Sequence, residues 1–215
     1  MSSAVVLFDL DDTLTDAAQF GASVLASAAG RHGHALAVEA IQAYPGVRYE
    51  PLLVQLLHLA PPEASAIYAT YIDLYRDMMP GGLREHPGAT ELLRALAARD
   101  VPVGLVTNKL DALAHEIVEL LGWSSLIRVI VGQDTGPYHK PDPAVVRYAL
   151  DGLGGSAEAA TLVGDTVDDM TGASGAGVAR IIGLLTTTPG DRLIAAGATQ
   201  LCASLDEVRA IVAPD

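Results

Sequence analysis

Positive charge is what this chain has least of. Its 215 residues carry 13 lysines and arginines against 26 aspartates and glutamates, a formal net charge of −13. Only two of the cations are lysines, Lys109 and Lys140. A nucleic-acid surface needs a basic stripe, so nucleic acid is not an expected partner. An anionic ligand must be drawn in by local groups against the global field, which gives weight to any lysine at a strand end. Cysteine is scarcer still. Cys202 is the single one, so no intramolecular disulfide can form, and its apolar neighbours suit a buried, inert thiol. A reducing, cytoplasmic setting is the expectation. No apolar run is long enough to span a bilayer, so no membrane role is expected. The start of the chain lacks a basic segment, an apolar run and a small-residue cleavage site, so no signal peptide is expected. None of the six histidines stands at zinc-like spacing from a cysteine, and no GxxxxGK[ST] segment occurs.

What is present is an Ala-, Val- and Leu-rich chain, half hydrophobic, long enough for one good-sized domain or a core with a smaller insert. Its most informative stretch is 4–14. Ala4 to Phe8 is an unbroken apolar run, as expected of a strand buried on both faces of a parallel sheet. It stops at Asp9, and Asp11 and Asp12 follow. Ligands of open α/β sheets bind beyond the carboxyl ends of strands, so Asp9 lies where chemistry is usually done. In an extended segment Asp9 and Asp11 point to the same side. Two carboxylates that close repel, and a hard divalent cation such as Mg²⁺ between them removes the conflict. The alternative is a solvated turn capping a helix. Polar residues at three later strand ends argue against it.

Residues 15–84 read as helices only. Ala17 to Ala29 ends near Gly30, Val38 to Ala43 breaks at Pro45-Gly46, and Pro51 to Leu59 and Glu63 to Met79 are parted by Pro61-Pro62. Pro80-Gly81-Gly82 is expected to close this insert. Both of its ends return to one region of the core, which would let it act as a lid. From residue 86 helices and strands alternate, the pattern of a parallel sheet covered on both faces. Strands are expected at 101–106, 128–131, 161–163 and 178–182, with helices between them and a last helix over 204–212. The expected organisation is an α/β core, 1–14 with 85–215, and a helical cap, 15–84.

Three strand ends join the first. Thr107-Asn108 follows the strand at 101–106, where its hydroxyl and amide suit phosphoryl oxygens; helix N-capping is the alternative. Lys140 sits in His139-Lys140-Pro141-Asp142-Pro143, a rigid loop that can set its ammonium between carboxylate and phosphate. Lys109, next to Thr107, is expected at the mouth of a site or in solvent. Gly164-Asp165-Thr166-Val167-Asp168-Asp169 ends the fourth strand, with Asp165 and Asp169 as metal candidates and Asp168 as a helix-start acid. The glycines of 172–177 have the wrong spacing for GxGxxG and are expected to serve close helix–sheet packing and a helix stop at Gly177.

These segments resemble the four motifs of the haloacid dehalogenase superfamily of aspartate-nucleophile phosphotransferases. Asp9-Leu10-Asp11-Asp12-Thr13 is similar to DxDxT, Val106-Thr107-Asn108 to the Thr/Ser motif, Lys140-Pro141-Asp142-Pro143 to KPxP, and 164–169 to GDTxxD. They occur in the superfamily's order across nearly the whole chain, with the helical insert at the position of a C1-type cap. The resemblance implies a Rossmann-like, doubly wound parallel sheet with that cap inserted after the first strand. It implies a Mg²⁺-dependent phosphatase acting on a small phosphorylated metabolite. Asp9 would attack phosphorus, and Asp11 would act as acid and then base. Mg²⁺ would be held by Asp9, the carbonyl of Asp11 and Asp165, with Asp169 behind them. Thr107, Asn108 and Lys140 would hold the phosphoryl group, and Thr13 would orient Asp11.

Within the superfamily, Asp11 disfavours dehalogenation, which needs no leaving-group acid. The absence of lysine from 15–84 argues against phosphonate cleavage through a cap Schiff base. A β-phosphoglucomutase-like enzyme stays open, with Arg48 as the cap group for a second phosphate or simply a surface arginine. So does a catalytically weak regulatory relative. Phosphoglycolate phosphatase-like members commonly carry glycine where this chain has Asp12. A receiver domain clusters similar groups but carries its acceptor Asp on a middle strand and has no helical insert.

Overall fold

The computed structural model describes residues 4–214 and divides them into two units, the segment Asp16–Arg84 and the remainder on either side of it. The larger unit begins with β1 (Val5–Phe8), in which all four side chains are buried. The chain reaches the insert through β2 (Thr15–Asp16). The insert holds α1 (Ala18–Arg31), α2 (Val38–Gln42), α3 (Tyr49–Leu57) and α4 (Pro61–Gly82), and β3 (Arg84–Glu85) follows it. The larger unit then continues with α5 (Ala89–Ala97), β4 (Val103–Val106), α6 (Asp111–Leu120), β5 (Val129–Val131), α7 (Pro143–Leu153), β6 (Ala160–Gly164), α8 (Val167–Ala176), β7 (Arg180–Leu184), α9 (Gly190–Ala196), β8 (Gln200–Cys202) and α10 (Leu205–Val212).

Six strands form one parallel sheet in the order β5-β4-β1-β6-β7-β8. The chain steps outward on one side of β1, then crosses back to start β6 on the other. Strand order therefore reverses between β1 and β6, the switch point where such sheets open a crevice at their carboxyl ends. The register brings the strand ends level there, with Phe8 opposite both Leu105 and Val163. One face of the sheet builds a core from Val5, Leu7, Val106, Leu162 and Ile181, covered by Val146 and Ala149 of α7, Met170 and Ala173 of α8 and Leu193 of α9. The alternate residues Val6, Phe8, Leu105 and Val163 are also buried, so both faces are covered and the strands can be apolar throughout.

The insert has its own aromatic core. Tyr71 of α4 stacks on Tyr68, meets Tyr49 edge-on at 5.1 Å between centroids, and lies beside Tyr75, which takes Phe20 edge-on at 4.9 Å. T-shaped and offset pairs suit the ring quadrupole, so five aromatics from three helices join buried aliphatics such as Leu25, Ile41, Leu52, Leu53 and Ile67 in holding this unit.

Several boundaries differ from expectation. Helix α4 continues through Pro80 to Gly82, where the Pro-Gly-Gly segment reads as a stop. Helix α9 was not expected, because 183–200 offers no long apolar period; Pro189 as its N-cap and Gly197 at φ 119 as its stop are its signals. Gly177 does end α8 in the left-handed region, at φ 82. The other glycines of that run face a loop, not the sheet: a Cβ on Gly172 would meet the Pro141 carbonyl at 3.4 Å, and one on Gly175 the Pro143 ring at 3.2 Å. No helix among the described residues is long and apolar enough to cross a membrane.

Candidate active site

The backbone first carries Asp9 to the end of β1. Its N–H donates to the Val163 carbonyl at 2.9 Å, one rung beyond the strand proper, and the chain then bends. Leu14 and Thr15 both donate to the Leu10 carbonyl at 3.0 Å, which closes a tight loop over the fully buried Leu10. Asp9 and Asp11 therefore do not lie along one extended segment, as the alternation argument assumed. Asp12, at φ 60, makes the turn. The left-handed region costs an L-residue energy that glycine avoids, and aspartate tolerates it better than most.

Lys140 is the hub of the site. Its ammonium is 2.7 Å from Oδ1 of Asp9 and 2.7 Å from Oδ1 of Asp169, with all three side chains nearly excluded from solvent. The contact with Asp169 is an aligned hydrogen bond; that with Asp9 is an ion pair without such alignment. Burial alone would lower the Lys140 pKa, but Asp169 and Asp9 outweigh it and hold the ammonium charged far above neutrality. Asn108 steadies the loop by donating its amide to the Lys140 carbonyl at 3.2 Å.

Asp169 is fully engaged. Its Oδ2 accepts from the Thr166 N–H at 3.0 Å and the Thr166 hydroxyl at 2.6 Å, a capping box that opens α8. Gly164 makes room for it, since a Cβ there would sit 2.5 Å from Asp169 Cγ. Asp165 is wholly buried and, among the described residues, its side chain has hydroxyl donors only: Thr13 at 2.7 Å on Oδ1 and Thr187 on Oδ2. Thr13 thus orients Asp165, not Asp11, because the bend at Leu10 turns its hydroxyl toward β6.

Lys109 is also part of the site. Its side chain is 6% exposed and its ammonium lies 2.8 Å from Oδ2 of Asp11, so of the two expected positions, the mouth of the site or solvent, solvent is excluded. The reason is the tight turn at the end of β4, where the Lys109 N–H donates to the Thr107 hydroxyl at 3.2 Å and sends the side chain inward. Oδ1 of Asp11 is buried and has no hydrogen-bond partner among the described residues. Thr107 is buried at the same sheet end, its N–H held by the Val131 carbonyl at 2.9 Å. Asp168 stands half-buried in the first turn of α8. Arg48 is the N-cap residue of α3 in the other unit.

Carboxylate oxygens of Asp9, Asp165 and Asp169 lie within 4.8 Å of one another. Burial pushes the Asp9 carboxyl up to about 7, with Lys140 opposing and Asp169 and Asp11 adding to the rise. Burial, then the charges of Asp9 and Asp169, push Asp165 well above the carboxylate range. With Asp11 included, four carboxylates face two ammoniums, an excess of negative charge matched by one divalent cation. The donor set is all oxygen, which suits a hard ion. The groups that sequence reasoning missed are Thr186 and Thr187, which donate to the Asp12 carbonyl at 2.7 Å and to Asp165. Their signal was there: a polar Thr-Thr-Thr run directly after an apolar strand.

Known proteins of similar sequence and fold include several phosphatases and hydrolases. A phosphoglycolate phosphatase of Agrobacterium fabrum is 30% identical over 185 residues, 83% of this chain and 79% of that protein. One of Rhodospirillum rubrum is 44% identical over 101 residues, 47% of this chain but 42% of its own length. A hydrolase structure from Pseudomonas syringae superposes with a TM-score of 0.83 at 25% identity, covering 97% of this chain and 98% of that one. A haloacid dehalogenase family hydrolase from Deinococcus radiodurans, solved with bound phosphate and sodium, gives 0.76 at 27% identity, covering 99% and 96%. The family described as haloacid dehalogenase-like hydrolase matches residues 6–182, a span that contains all four carboxylates and both lysines of the site. The chain belongs to that family.

Proposed function

We propose that this protein is a Mg²⁺-dependent phosphatase of the phosphoglycolate phosphatase type, which hydrolyses a small phosphomonoester through an aspartyl-phosphate. The observation that carries the reading is Lys140 set between Asp9 and Asp169 with Asp165 beside them. Asp9 is the nucleophile: its carboxylate oxygen forms a bond to phosphorus as the ester P–O bond breaks in line. Asp11 gives a proton to the leaving alcohol, and its Oδ1, with no partner among the described residues, is the oxygen able to carry it. In the second step Asp11 takes a proton from the water that attacks the aspartyl-phosphate, which releases inorganic phosphate and restores Asp9. Lys140 and Thr107 stabilise charge on the transferring oxygens.

Asp9, the Asp11 carbonyl and Asp165 would hold magnesium, whose charge would offset the gathered carboxylates and phosphate oxygens. Asp169 serves by holding Lys140, since the ammonium on its Oδ1 offsets its charge and its Oδ2 takes both the N–H and the hydroxyl of Thr166. Asn108 acts through the Lys140 loop. Residues 15–84 serve as the cap that selects the monoester, with Arg48 as a candidate contact. The named relatives support a phosphorylated metabolite as substrate, and a buried single cysteine suits a reducing cytoplasm.

The test is phosphate release from a panel containing phosphoglycolate, sugar phosphates and nucleotide 5′-monophosphates, with EDTA and Asp9→Asn as controls. Release that needs the metal and vanishes in Asp9→Asn supports the reading. Turnover by Asp9→Asn near that of the wild type would overturn Asp9 as nucleophile. No release from any panel member would move the assignment to the mutase or regulatory reading.

A further inference from the structure

Two of the buried carboxylates are held in opposite ways. Asp169 receives an ammonium and a backbone N–H, so its charge is already spent within the protein. Among the described residues Asp165 receives hydroxyls alone, Thr13 on one oxygen and Thr187 on the other. A neutral O–H donor occupies one lone pair and leaves the carboxylate charge in place, and each oxygen keeps a further lone pair. Two such donors fix the rotation of the carboxylate without neutralising it. That is what a cation ligand needs and what an anchor for lysine does not.

Thr187 comes from an element outside the four recognised segments. The register pairs Gly164 with Gly183, so the chain leaving β7 runs on beside Asp165. The Thr187 hydroxyl also lies 3.2 Å from the Asp165 carbonyl. Thr186 donates at 2.7 Å to the carbonyl of Asp12, which follows Asp11, and Thr188 is buried below them. One loop thus grips both the turn after β1 and the carboxylate after β6.

We propose that Thr187 is a positioning residue for the divalent cation: its hydroxyl sets the rotation of the Asp165 carboxylate and so tunes metal affinity. The inference rests on the reading of Asp9 and Asp165 as metal ligands. Partners that orient metal ligands typically change affinity roughly 10–100-fold when removed.

The test titrates metal-free protein with Mn²⁺ by calorimetry, with Mg²⁺ in competition, for the wild type, Thr187→Val, Thr187→Ala, Thr187→Ser and Asp165→Asn. Thr187→Val and Thr187→Ala should bind about tenfold more weakly, with metal-free melting temperatures close to wild type. Thr187→Ser, which keeps the hydroxyl, should restore binding to within about twofold of wild type. Wild-type affinity in Thr187→Val or Thr187→Ala would overturn the proposal. So would a loss that Thr187→Ser fails to repair, since it would report a distorted loop. Failure of the underlying reading looks different: a wild type that binds no Mn²⁺, or Asp165→Asn binding as tightly as wild type, would remove the metal centre and this role with it.

Discussion

The ammonium of Lys109 lies 2.8 Å from Oδ2 of Asp11. Both lysines of the chain are therefore spent on carboxylates at one sheet end, Lys140 on Asp9 and Asp169, and Lys109 on Asp11. Their roles differ in weight. Lys140 joins two buried carboxylates, whereas the Asp11 side chain is 34% exposed and water can share its charge.

Lys140→Ala should lower turnover by about 10³-fold, the scale of losing a preorganised donor to transferring charge. Lys109→Ala should lose roughly tenfold, equivalent to about 1.4 kcal/mol of barrier. Steady-state kinetics on the best panel substrate would check this. Equal losses would mean that the two lysines share one task.

Asp9 contributes to the pH dependence of the metal-free protein, alongside Asp165, whose carboxyl burial also raises. The Asp9 carboxyl is raised from 3.8 to about 7, so the folded state binds the extra proton between these values. The stabilisation is full below about pH 4 and is lost as pH rises through about 7. Asp9→Asn removes the charge that causes the loss. With EDTA present, it should melt above the wild type at pH 8, by about 2–4 °C per kcal/mol relieved, and the gap should close toward pH 5. Divalent cation binding should release protons and tighten from pH 6 to pH 8.

Gly164→Ala should damage the site through Asp169. The new Cβ would sit 2.5 Å from Asp169 Cγ and 2.6 Å from its Cβ, so that side chain must move off Lys140. Overpacking of this kind costs about 1–3 kcal/mol. Urea unfolding should record that loss, and turnover should fall with it.

Asp12 makes a turn that favours glycine. At φ 60, an alanine lacks the local hydrogen bonding that eases the left-handed region for aspartate, so Asp12→Ala should destabilise by about 1 kcal/mol. Asp12→Gly should stay within about 0.5 kcal/mol, because the strain it relieves offsets the entropy glycine adds to the unfolded chain. Chemical denaturation of both variants distinguishes strain from charge.

Much was legible in the sequence because parallel strands buried on both faces must be apolar throughout. Val5–Phe8 and Val103–Val106 stand out as unbroken apolar runs, Ala160–Gly164 is interrupted only by the buried Thr161, and the polar residues that stop them mark the carboxyl ends of the sheet. Elements without such a contrast were lost. Helix α9 is short and has one buried side chain, Leu193, too little to impose a period on the sequence.

The sequence by itself determined which residues stand at the strand ends, because a buried strand ends where polarity begins. It thereby marked Asp9, Thr107 and Asp165, with Lys140 in the loop beyond β5, as candidates for one site. Only the tertiary structure decided how those groups pair. That Thr13 serves Asp165, that Lys109 serves Asp11, and that Thr187 reaches Asp165 from the loop after β7 are all matters of side-chain direction across distant segments. Direction of that kind follows from turns such as those at Leu10 and Asp12 and from the lateral order of strands, and neither is encoded in the local alternation of apolar and polar residues.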